Sequence, residues 1–169
     1  MHVLETERLV LRQLDERDAA FILQLVNEPS WLQYIGDRGV RTLQDAERYI
    51  RDGPVAMYAR LGFGLWLVAL KETLEPIGIC GLIKRDALPD VDLGFALLPR
   101  FWGKGYALES ASATVAYGKA RLGLSRVVAV TTKSNHASGR LLEKLGFRFE
   151  RLVRLAADGE ELKLYAASP

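Results

Sequence analysis

The spacing of apolar residues predicts strands along most of the chain. In "ERLVLRQL" apolar and polar residues alternate, which is typical of a strand with one buried face. "SRVVAVTT" is almost continuously apolar and predicts a central strand that is covered on both faces. Further strands are predicted in these segments: "FGLWLVALK" and "PIGICGLIKR", joined by a hairpin at "ETLE", then "VDLGFALL", and two closing strands around 147–155 and 160–167, joined at "ADG".

Helical spacing predicts two helices between the strands "ERLVLRQL" and "FGLWLVALK". Asp15 is expected to cap the first helix. Thr42 with Asp45 resembles a capping box and predicts the start of the second, which we expect to end at Gly53-Pro54. The segment "NEPSWLQYIGDRG" between them predicts a loop or a broken helix.

Two more helices are predicted in the second half of the chain. One follows the glycines Gly103 and Gly105, is rich in small residues that let it lie close to a sheet, and is expected to stop at Gly123. The other runs from a possible cap at Asn135 to Gly146. The predicted fold class is α/β, with the order β-α-α-β-β-β-α-β-α-β-β, a mixed and mostly antiparallel sheet, and one right-handed β-α-β crossover.

Composition narrows the class of protein. The 169 residues, 49% hydrophobic and 26% charged, predict a single domain over residues 1–169. A net charge of +2 argues against strong nonspecific nucleic-acid binding. No apolar run approaches the ~20 residues that span a membrane, and the N-terminal stretch does not resemble a signal peptide, so we expect a cytoplasmic protein without a membrane partner.

Cysteine and histidine are scarce. The lone Cys80 excludes an internal disulfide and a cysteine-based zinc cluster, and a mid-strand position predicts a buried structural thiol. His2 and His136 are too scattered to predict a metal site. We therefore expect a metal-free domain.

The two glycines raise the question of a bound phosphate. Free N–H groups at a helix start, together with the helix dipole, favour an anion there. A dinucleotide fingerprint would need glycine at Leu108, and no P-loop motif occurs. What fits is R-x-x-G-x-G, from Arg100 through Gly105, directly after a strand and before a helix. The alternative is an ordinary strand–helix turn.

At this point the sequence resembles the GNAT acyltransferase superfamily, whose pyrophosphate loop reads [Q/R]-x-x-G-x-[G/A]. "DLGFALLPRFWGKGYALESA" is similar to the branch that contains ribosomal-protein N-terminal (serine/alanine) acetyltransferases. Asn135 and Ser138 followed by "LLEKLGF" resemble a second block of that branch, N-x-x-S…E-K-x-G-F. Both blocks fall on matching elements, and the resemblance covers nearly the whole chain.

The resemblance implies acetyl-CoA as cosubstrate and an N-acetyltransferase reaction. The backbone of residues 100–106 would hold the pyrophosphate of coenzyme A: Arg100, Phe101, Trp102, Gly103, Lys104, Gly105 and Tyr106. Phe95, Ala96 and Leu97 would pair with the pantetheine arm through their main chain, in a gap between two parallel strands that splay apart. An N–H near Leu97 could stabilise the oxyanion. For Trp102 we expect a packing anchor under the loop in preference to a ligand contact, and a solvated surface lysine explains Lys104 equally well.

The resemblance also implies residues for the chemistry. Many family members place a tyrosine general acid where this chain has Leu142, and Ser138 on the same helix is the suggested substitute, hydrogen-bonding the thiolate. Its alternative is a surface serine. Asn135 would bind a pantetheine amide, cap the helix, or both. Asp92 and Glu109 are the candidate general bases, although each could be structural, Asp92 as a strand-end charge and Glu109 as a hydrogen-bonding partner of the sheet.

The sequence says least about the amine that accepts the acetyl group. Trp31 and Tyr34, with Asp37 and Arg38, fall in the loop where this fold usually shapes its acceptor site, although loop anchoring explains them equally well. An α-amine is roughly 10% deprotonated at pH 7 and a lysine amine far less, so a site without a strong base suits an α-amine.

We therefore expect a protein or peptide N-terminal α-amine as the first acceptor. The alternatives are a small amine (a polyamine, amino acid or antibiotic), a catalytically silent acyl-CoA sensor, and, more remotely, a nucleotide-binding module. A monomer and a homodimer both remain possible.

Overall fold

A computed structural model describes residues 1–168, which form one sheet with helices on its faces. The strands are β1 (His2–Glu5), β2 (Leu9–Gln13), β3 (Leu65–Leu70), β4 (Pro76–Ile83), β5 (Asp92–Leu97), β6 (Val127–Thr132), β7 (Arg148–Val153) and β8 (Leu162–Ala167). They lie in the order β1-β2-β3-β4-β5-β6-β8-β7. Among them β5 and β6 pair in parallel and the other neighbours pair antiparallel. The predicted fold class is confirmed.

Within residues 1–168, six α-helices connect these strands. They are α1 (Ala19–Val26), α2 (Pro29–Tyr34), α3 (Leu43–Ile50), α4 (Ala56–Leu61), α5 (Tyr106–Leu122) and α6 (His136–Lys144). Short 3-10 turns precede α1 and the glycine pair. The crossover β5-α5-β6 is the predicted β-α-β unit.

The predicted caps at Thr42, Asn135 and Gly123 lie where the sequence placed them, whereas Asp15 caps the 3-10 turn that precedes α1. The Thr42 hydroxyl accepts from the Asp45 N–H at 3.0 Å and completes a capping box with the Asp45 carboxylate. Asn135 caps α6 by accepting from the Ser138 N–H at 3.2 Å. Gly123 ends α5 with a φ of 67°, a left-handed conformation that glycine adopts without steric cost.

Two predictions about the N-terminal half were wrong. A short edge strand, β1, precedes the predicted first strand and pairs with it. The second helix does not end at Gly53-Pro54 but continues through a π-helical turn, Arg51–Val55, into α4. The N–H of Ala56 reaches back to the Arg51 carbonyl, so the helix widens around Pro54, which has no N–H to donate.

Helix α5 lies close to the sheet because its inner face is made of small residues. Ser110, Ala111 and Thr114 are fully buried there. A Cβ on Gly118 would come within 3.1 Å of Leu82 on β4, so even alanine would crowd this contact. Cys80 is buried beneath the same helix, as predicted. This packing fixes the start of α5 against the end of β5, where the glycine pair lies.

Candidate active site

The parallel strands β5 and β6 separate after a single point of pairing. Asp92 pairs with Val128, and the Val128 N–H donates to the Val91 carbonyl at 3.0 Å. Beyond this point the two strands share no further ladder pair within residues 1–168. The gap between them is the splayed pair that the resemblance implied.

The register of β5 decides which of its main-chain groups face this gap. The Leu98 N–H donates to Ile77 on the neighbouring strand at 2.9 Å, and alternate residues of an antiparallel strand bond to the same neighbour. Ala96 therefore pairs with β4, and its carbonyl lies against Gly78. Phe95 and Leu97 point their N–H groups towards β6. Of the three residues expected to pair with pantetheine, Ala96 has no main-chain group free for it.

The glycine loop presents its N–H groups outwards. Gly103 and Gly105 have φ values of 73° and 83°, a conformation that other residues adopt only under strain. In the described part of the chain the N–H groups of residues 103–106 donate to no protein acceptor. They lie at the positive end of the 17-residue helix α5. This arrangement suits a phosphate group.

Arg8 fastens this loop to the first hairpin of the sheet. Its Nη1 donates to the Lys104 carbonyl at 2.9 Å, and its guanidinium lies 4.5 Å from the centre of the Tyr106 ring. A Cβ on Gly105 would come within 3.2 Å of Arg8 Nη2. The side chain thus holds the loop from the face opposite its N–H groups.

Glu109 is part of the contact between the loop and the first hairpin, and it does not line the cleft. Its carboxylate accepts from the Thr6 hydroxyl, from the Arg8 N–H at 3.0 Å and from Arg8 Nε at 2.8 Å. Burial acts to raise the pKa of Glu109, but these hydrogen bonds outweigh it and hold the pKa below its ordinary value. The geometry fits the hydrogen-bonding alternative and gives no support to Glu109 as a general base.

One cleft of about 720 Å³ joins the gap, the glycine loop and the N-terminal helices. It brings together most of the predicted site residues: Trp31, Tyr34, Asp92, Phe95, Ala96, Leu97, Phe101, Trp102, Gly103, Gly105, Tyr106, Asn135 and Ser138. Arg100, Lys104 and Glu109 are predicted site residues that do not line it. Arg100 instead pairs with Glu75 at 3.3 Å in a solvent-exposed contact.

Trp102 is not a packing anchor under the loop. Its side chain is 52% exposed, and its Nε1 donates to the Leu97 carbonyl at 2.9 Å. That bond uses the carbonyl of Leu97 and leaves the N–H of the same residue for a ligand. The tryptophan therefore covers the end of β5 from the solvent side.

Helix α6 contributes the opposite wall. Asn135 uses its side-chain oxygen for the cap, which leaves its NH₂ group for a ligand. Ser138, one turn into the helix, is half-buried and lines the cleft. Leu142, at the position of the family's tyrosine, is fully buried and supplies no proton donor.

Asp92 is the most unusual polar residue of the cleft. It is 1% exposed, its Oδ2 accepts from Arg85 Nε at 2.6 Å, and its Oδ1 has no partner in residues 1–168. Burial raises the pKa of Asp92, and the nearby Arg85 offsets this only in part. A buried carboxylate with a free oxygen and a raised pKa is suited to accept a proton.

Sequence reasoning missed several polar residues of the cleft, among them the following three. Arg85 follows β4, Tyr49 lies on α3, and Thr131 lies on β6 with a buried hydroxyl that no described residue partners. Tyr49 shares the inward face of an amphipathic helix with Ala46, which is a usable signal. The contact of Arg85 with Asp92 closes a turn, and no local pattern predicts it.

An acetyltransferase (GNAT) domain model matches residues 8–148 of the sequence, so the chain belongs to the GNAT acetyltransferase family. An uncharacterized N-acetyltransferase of Bacillus subtilis, YoaA, is 33% identical over 156 residues, which cover 90% of this chain and 86% of that protein. The chain is an acetyltransferase of the GNAT type, and this family uses acetyl-CoA.

Solved structures give the same result for the fold. An acetyltransferase from Agrobacterium tumefaciens superimposes with a TM-score of 0.83 and 28% identity, over 98% of this chain and 94% of that one. A ribosomal L7/L12 α-N-protein acetyltransferase in complex with coenzyme A has a TM-score of 0.84 at 20% identity, over 99% and 98% of the two chains. At that identity the second match shows a shared fold.

Two further observations concern metals and membranes. Among residues 1–168, no three His, Cys, Asp or Glu side chains come together as a metal site would require. No helix in the same range is both long and apolar enough to cross a bilayer.

Proposed function

We propose that the protein transfers the acetyl group of acetyl-CoA to a primary amine, by direct attack of the amine in a ternary complex. The observation that carries this proposal is the gap between β5 and β6, which the glycine loop closes at one end and Asp92 at the other. Unpaired main-chain groups along the gap and at the loop fit an extended arm that ends in a diphosphate.

Different residues would bind different parts of acetyl-CoA. The N–H groups of residues 103–106 would bind the diphosphate, and the main chain of Phe95 and Leu97 would pair with the pantetheine arm. The NH₂ of Asn135 would bond to an amide of the same arm. When bound, acetyl-CoA supplies a thioester carbonyl that an amine can attack.

The residues that would act on the reaction lie on two elements around the gap, β5 and α6. The Leu97 N–H, which faces the gap, would donate to the carbonyl oxygen as negative charge develops there. Asp92 Oδ1 would take the proton that the amine loses. The Ser138 hydroxyl would hydrogen-bond the departing sulfur. Cys80 takes no part, because it is buried beneath α5 and burial raises the pKa of its thiol to about 11.

For the acceptor we propose an α-amine, on a peptide or as a free small molecule. The α-amine of a peptide needs little help to lose its proton near neutral pH, with a pKa of about 8. Asp92 is in ion-pair contact with Arg85, which makes it a weaker base than a lysine amine would require.

The test measures binding and chemistry separately. Calorimetry with acetyl-CoA and with coenzyme A tests the cleft, and release of the coenzyme A thiol is then followed with peptide N-termini, amino acids and polyamines. Thiol release with an α-amine and little with a polyamine is expected. Acetyl-CoA binding without thiol release from any amine would contradict the proposed transfer, and absence of binding to folded protein would contradict the proposed cosubstrate.

A further inference from the structure

The Asp92 end of the cleft carries a group of charged and hydrogen-bonding side chains that acetyl transfer itself does not require. Arg85 pairs with Asp92 at 2.6 Å. Arg38 and Tyr49 line the cleft with them. Burial raises the pKa of Tyr49, and the guanidinium groups of Arg38 and Arg85 oppose that rise.

Arg38 differs from the arginines around it. Arg41, three residues further on, pairs with Asp37, and Arg85 pairs with Asp92. Arg38 forms no ion pair with a carboxylate anywhere in the part of the chain described. An arginine in a cleft beside a phenol, with no anion of its own, is equipped to bind a carboxylate through two parallel hydrogen bonds.

Besides the Thr131 hydroxyl, two buried polar atoms of the cleft lack partners. The Oδ1 of Asp92 is an acceptor and the Nε1 of Trp31 is a donor, on side chains that are 1% and 4% exposed, and neither finds a protein partner in residues 1–168. A buried polar atom without a hydrogen bond is costly, so a ligand is expected to supply the missing groups. Such a ligand must donate to Asp92 and accept from Trp31.

The charged side chains that line the cleft also fit a ligand that carries a carboxylate. They are Glu28, Arg38, Arg85, Asp92, Arg140 and Lys144. Cations therefore outnumber carboxylates, and one of the two carboxylates is already neutralised by Arg85. This lining does not form the acidic groove that a polyamine or a basic peptide tail would need.

We propose that the acceptor is an α-amine that carries a carboxylate a few bonds away, with its amine at Asp92 Oδ1 and its carboxylate bound by Arg38 and the Tyr49 hydroxyl. The proposal rests on the proposed acetyl transfer and narrows its acceptor. A free α-amino acid and a peptide with an acidic first residue both present this chemistry.

The first measurement compares acceptors that differ in this one charge. Alanine and phenylalanine are each tested against the corresponding α-amide, by thiol release with acetyl-CoA at saturation. The acid is expected to have the lower KM. Because amidation also changes the pKa of the amine, the decisive quantity is the acid-to-amide ratio of kcat/KM in the wild type and in a variant.

That variant is Arg38→Gln, with Arg48→Gln as its matched control. Arg48 lies next to Tyr49 in the sequence but pairs with Asp45 outside the cleft. Arg38→Gln is expected to raise the KM for the acids by about 10- to 100-fold, the range of a lost charge-assisted hydrogen bond, and to leave the amides nearly unchanged. Arg38→Lys should restore part of the ratio, and Arg48→Gln should leave it at the wild-type value.

A second set of assays, with dipeptide amides, separates the two sources of the carboxylate. The dipeptide amides Asp-Ala, Ala-Ala and Lys-Ala carry a carboxylate, no charge and a cation on the first side chain. Turnover of the Asp-Ala amide that depends on Arg38 would assign the site to acidic peptide N-termini. Turnover restricted to free amino acids would assign it to small acceptors.

Failure of this proposal can be told apart from failure of acetyl transfer. Turnover of polyamines or amides as efficient as that of the acids, or an acid-to-amide ratio that Arg38→Gln does not change, would overturn the carboxylate site while acetyl transfer stands. If no amine is turned over, the same acid and amide pairs are titrated calorimetrically into protein saturated with coenzyme A. Tighter, Arg38-dependent binding of the acids would then support the site, and equal binding would overturn it.

Discussion

Arg8 and Glu109 are 101 positions apart in the sequence, yet Arg8 Nε donates to Glu109 Oε1 at 2.8 Å. The contact joins the first hairpin of the sheet to the first turn of α5. The same guanidinium reaches the Lys104 carbonyl at 2.9 Å. This geometry fits a positioning role for Glu109, which would act on the glycine loop through Arg8.

Replacing Glu109 with glutamine should lower stability more than it lowers the rate of chemistry. Loss of the charge-assisted hydrogen bonds should reduce the free energy of unfolding by about 1–2 kcal/mol. The affinity for coenzyme A should also fall, because the loop is less well held, while kcat at saturating acetyl-CoA should stay within about threefold of the wild type. Urea unfolding and calorimetry give the first two quantities. Glu72→Gln, at an exposed position in the turn after β3, is the matched control.

The stabilising effect of Glu109 should depend on pH in a defined direction. Its native pKa lies below the ordinary 4.5, so the native state binds fewer protons than the unfolded state does. The stabilisation is therefore present above pH 4.5 and is lost as the pH falls through the lower native pKa. The difference in unfolding free energy between wild type and Glu109→Gln should shrink below pH 4.5. A difference that is constant over this range would contradict the assignment.

Local patterns predicted the parts of the fold that depend on neighbours in the sequence. Asn135 and Gly123 mark helix ends because a cap is made within one turn of the chain. The glycine loop was predictable for the same reason, since its conformation depends on Gly103 and Gly105 themselves. Pro54 was misread because a proline is a local signal, whereas the wider turn that accommodates it depends on the packing of the whole helix.

The site was less predictable where it depends on distant contacts. Glu109 and Asp92 are both acidic residues near the glycine loop in sequence, and nothing local separates them. The sheet separates them, because it places Asp92 beside Arg85 in the cleft and Glu109 beside Arg8 outside it. Trp102 was expected to pack under the loop, but it is 52% exposed and its Nε1 donates to the Leu97 carbonyl.

Gly103→Glu should abolish binding of coenzyme A without unfolding the protein. No atom lies within 4 Å of the position of a Cβ on Gly103, so the new side chain has space, but it carries negative charge to where the diphosphate is expected. Like charges brought together cost several kcal/mol, which predicts a loss of affinity of about 100-fold or more. Calorimetry on material with a native circular dichroism spectrum measures this effect.

The control for Gly103→Glu is Gly123→Glu, at the opposite end of the same helix. Gly123 has a similar φ of 67° and equally open surroundings. Both variants should therefore lose about 1–2 kcal/mol of stability to backbone strain, but Gly123→Glu should bind coenzyme A normally. Equal affinities in the two variants would place the diphosphate elsewhere.

Ser138→Ala should lower turnover more than affinity. If its hydroxyl bonds the sulfur as negative charge develops, removing it should reduce kcat by about tenfold or more and leave the KM for acetyl-CoA little changed. Ser138→Thr keeps a hydroxyl and should recover part of the rate, whereas Ser125→Ala, at an exposed position before β6, should have no effect. An unchanged kcat in Ser138→Ala would remove this serine from the chemistry.

Asp92→Asn should remove the proton acceptor while preserving the shape of the cleft. The loss of a general base typically costs 10²- to 10⁴-fold, so kcat should fall by about 100-fold or more, with acetyl-CoA binding retained. Asp90→Asn is the matched control, because Asp90 lies two residues before Asp92 and pairs with Arg126 at 3.1 Å outside the cleft. It should keep a rate near that of the wild type.

The pH profile distinguishes a base from a purely structural carboxylate at position 92. Burial raises the pKa of Asp92 above the ordinary 3.8, and the base must be unprotonated to act. The wild-type kcat should therefore rise with pH through an inflection above 3.8, and that inflection should be missing from the residual activity of Asp92→Asn. If Asp92 served only to hold Arg85, its replacement would lower stability in urea while the inflection persisted. Persistence of the inflection in the variant would thus transfer the role of base to another group.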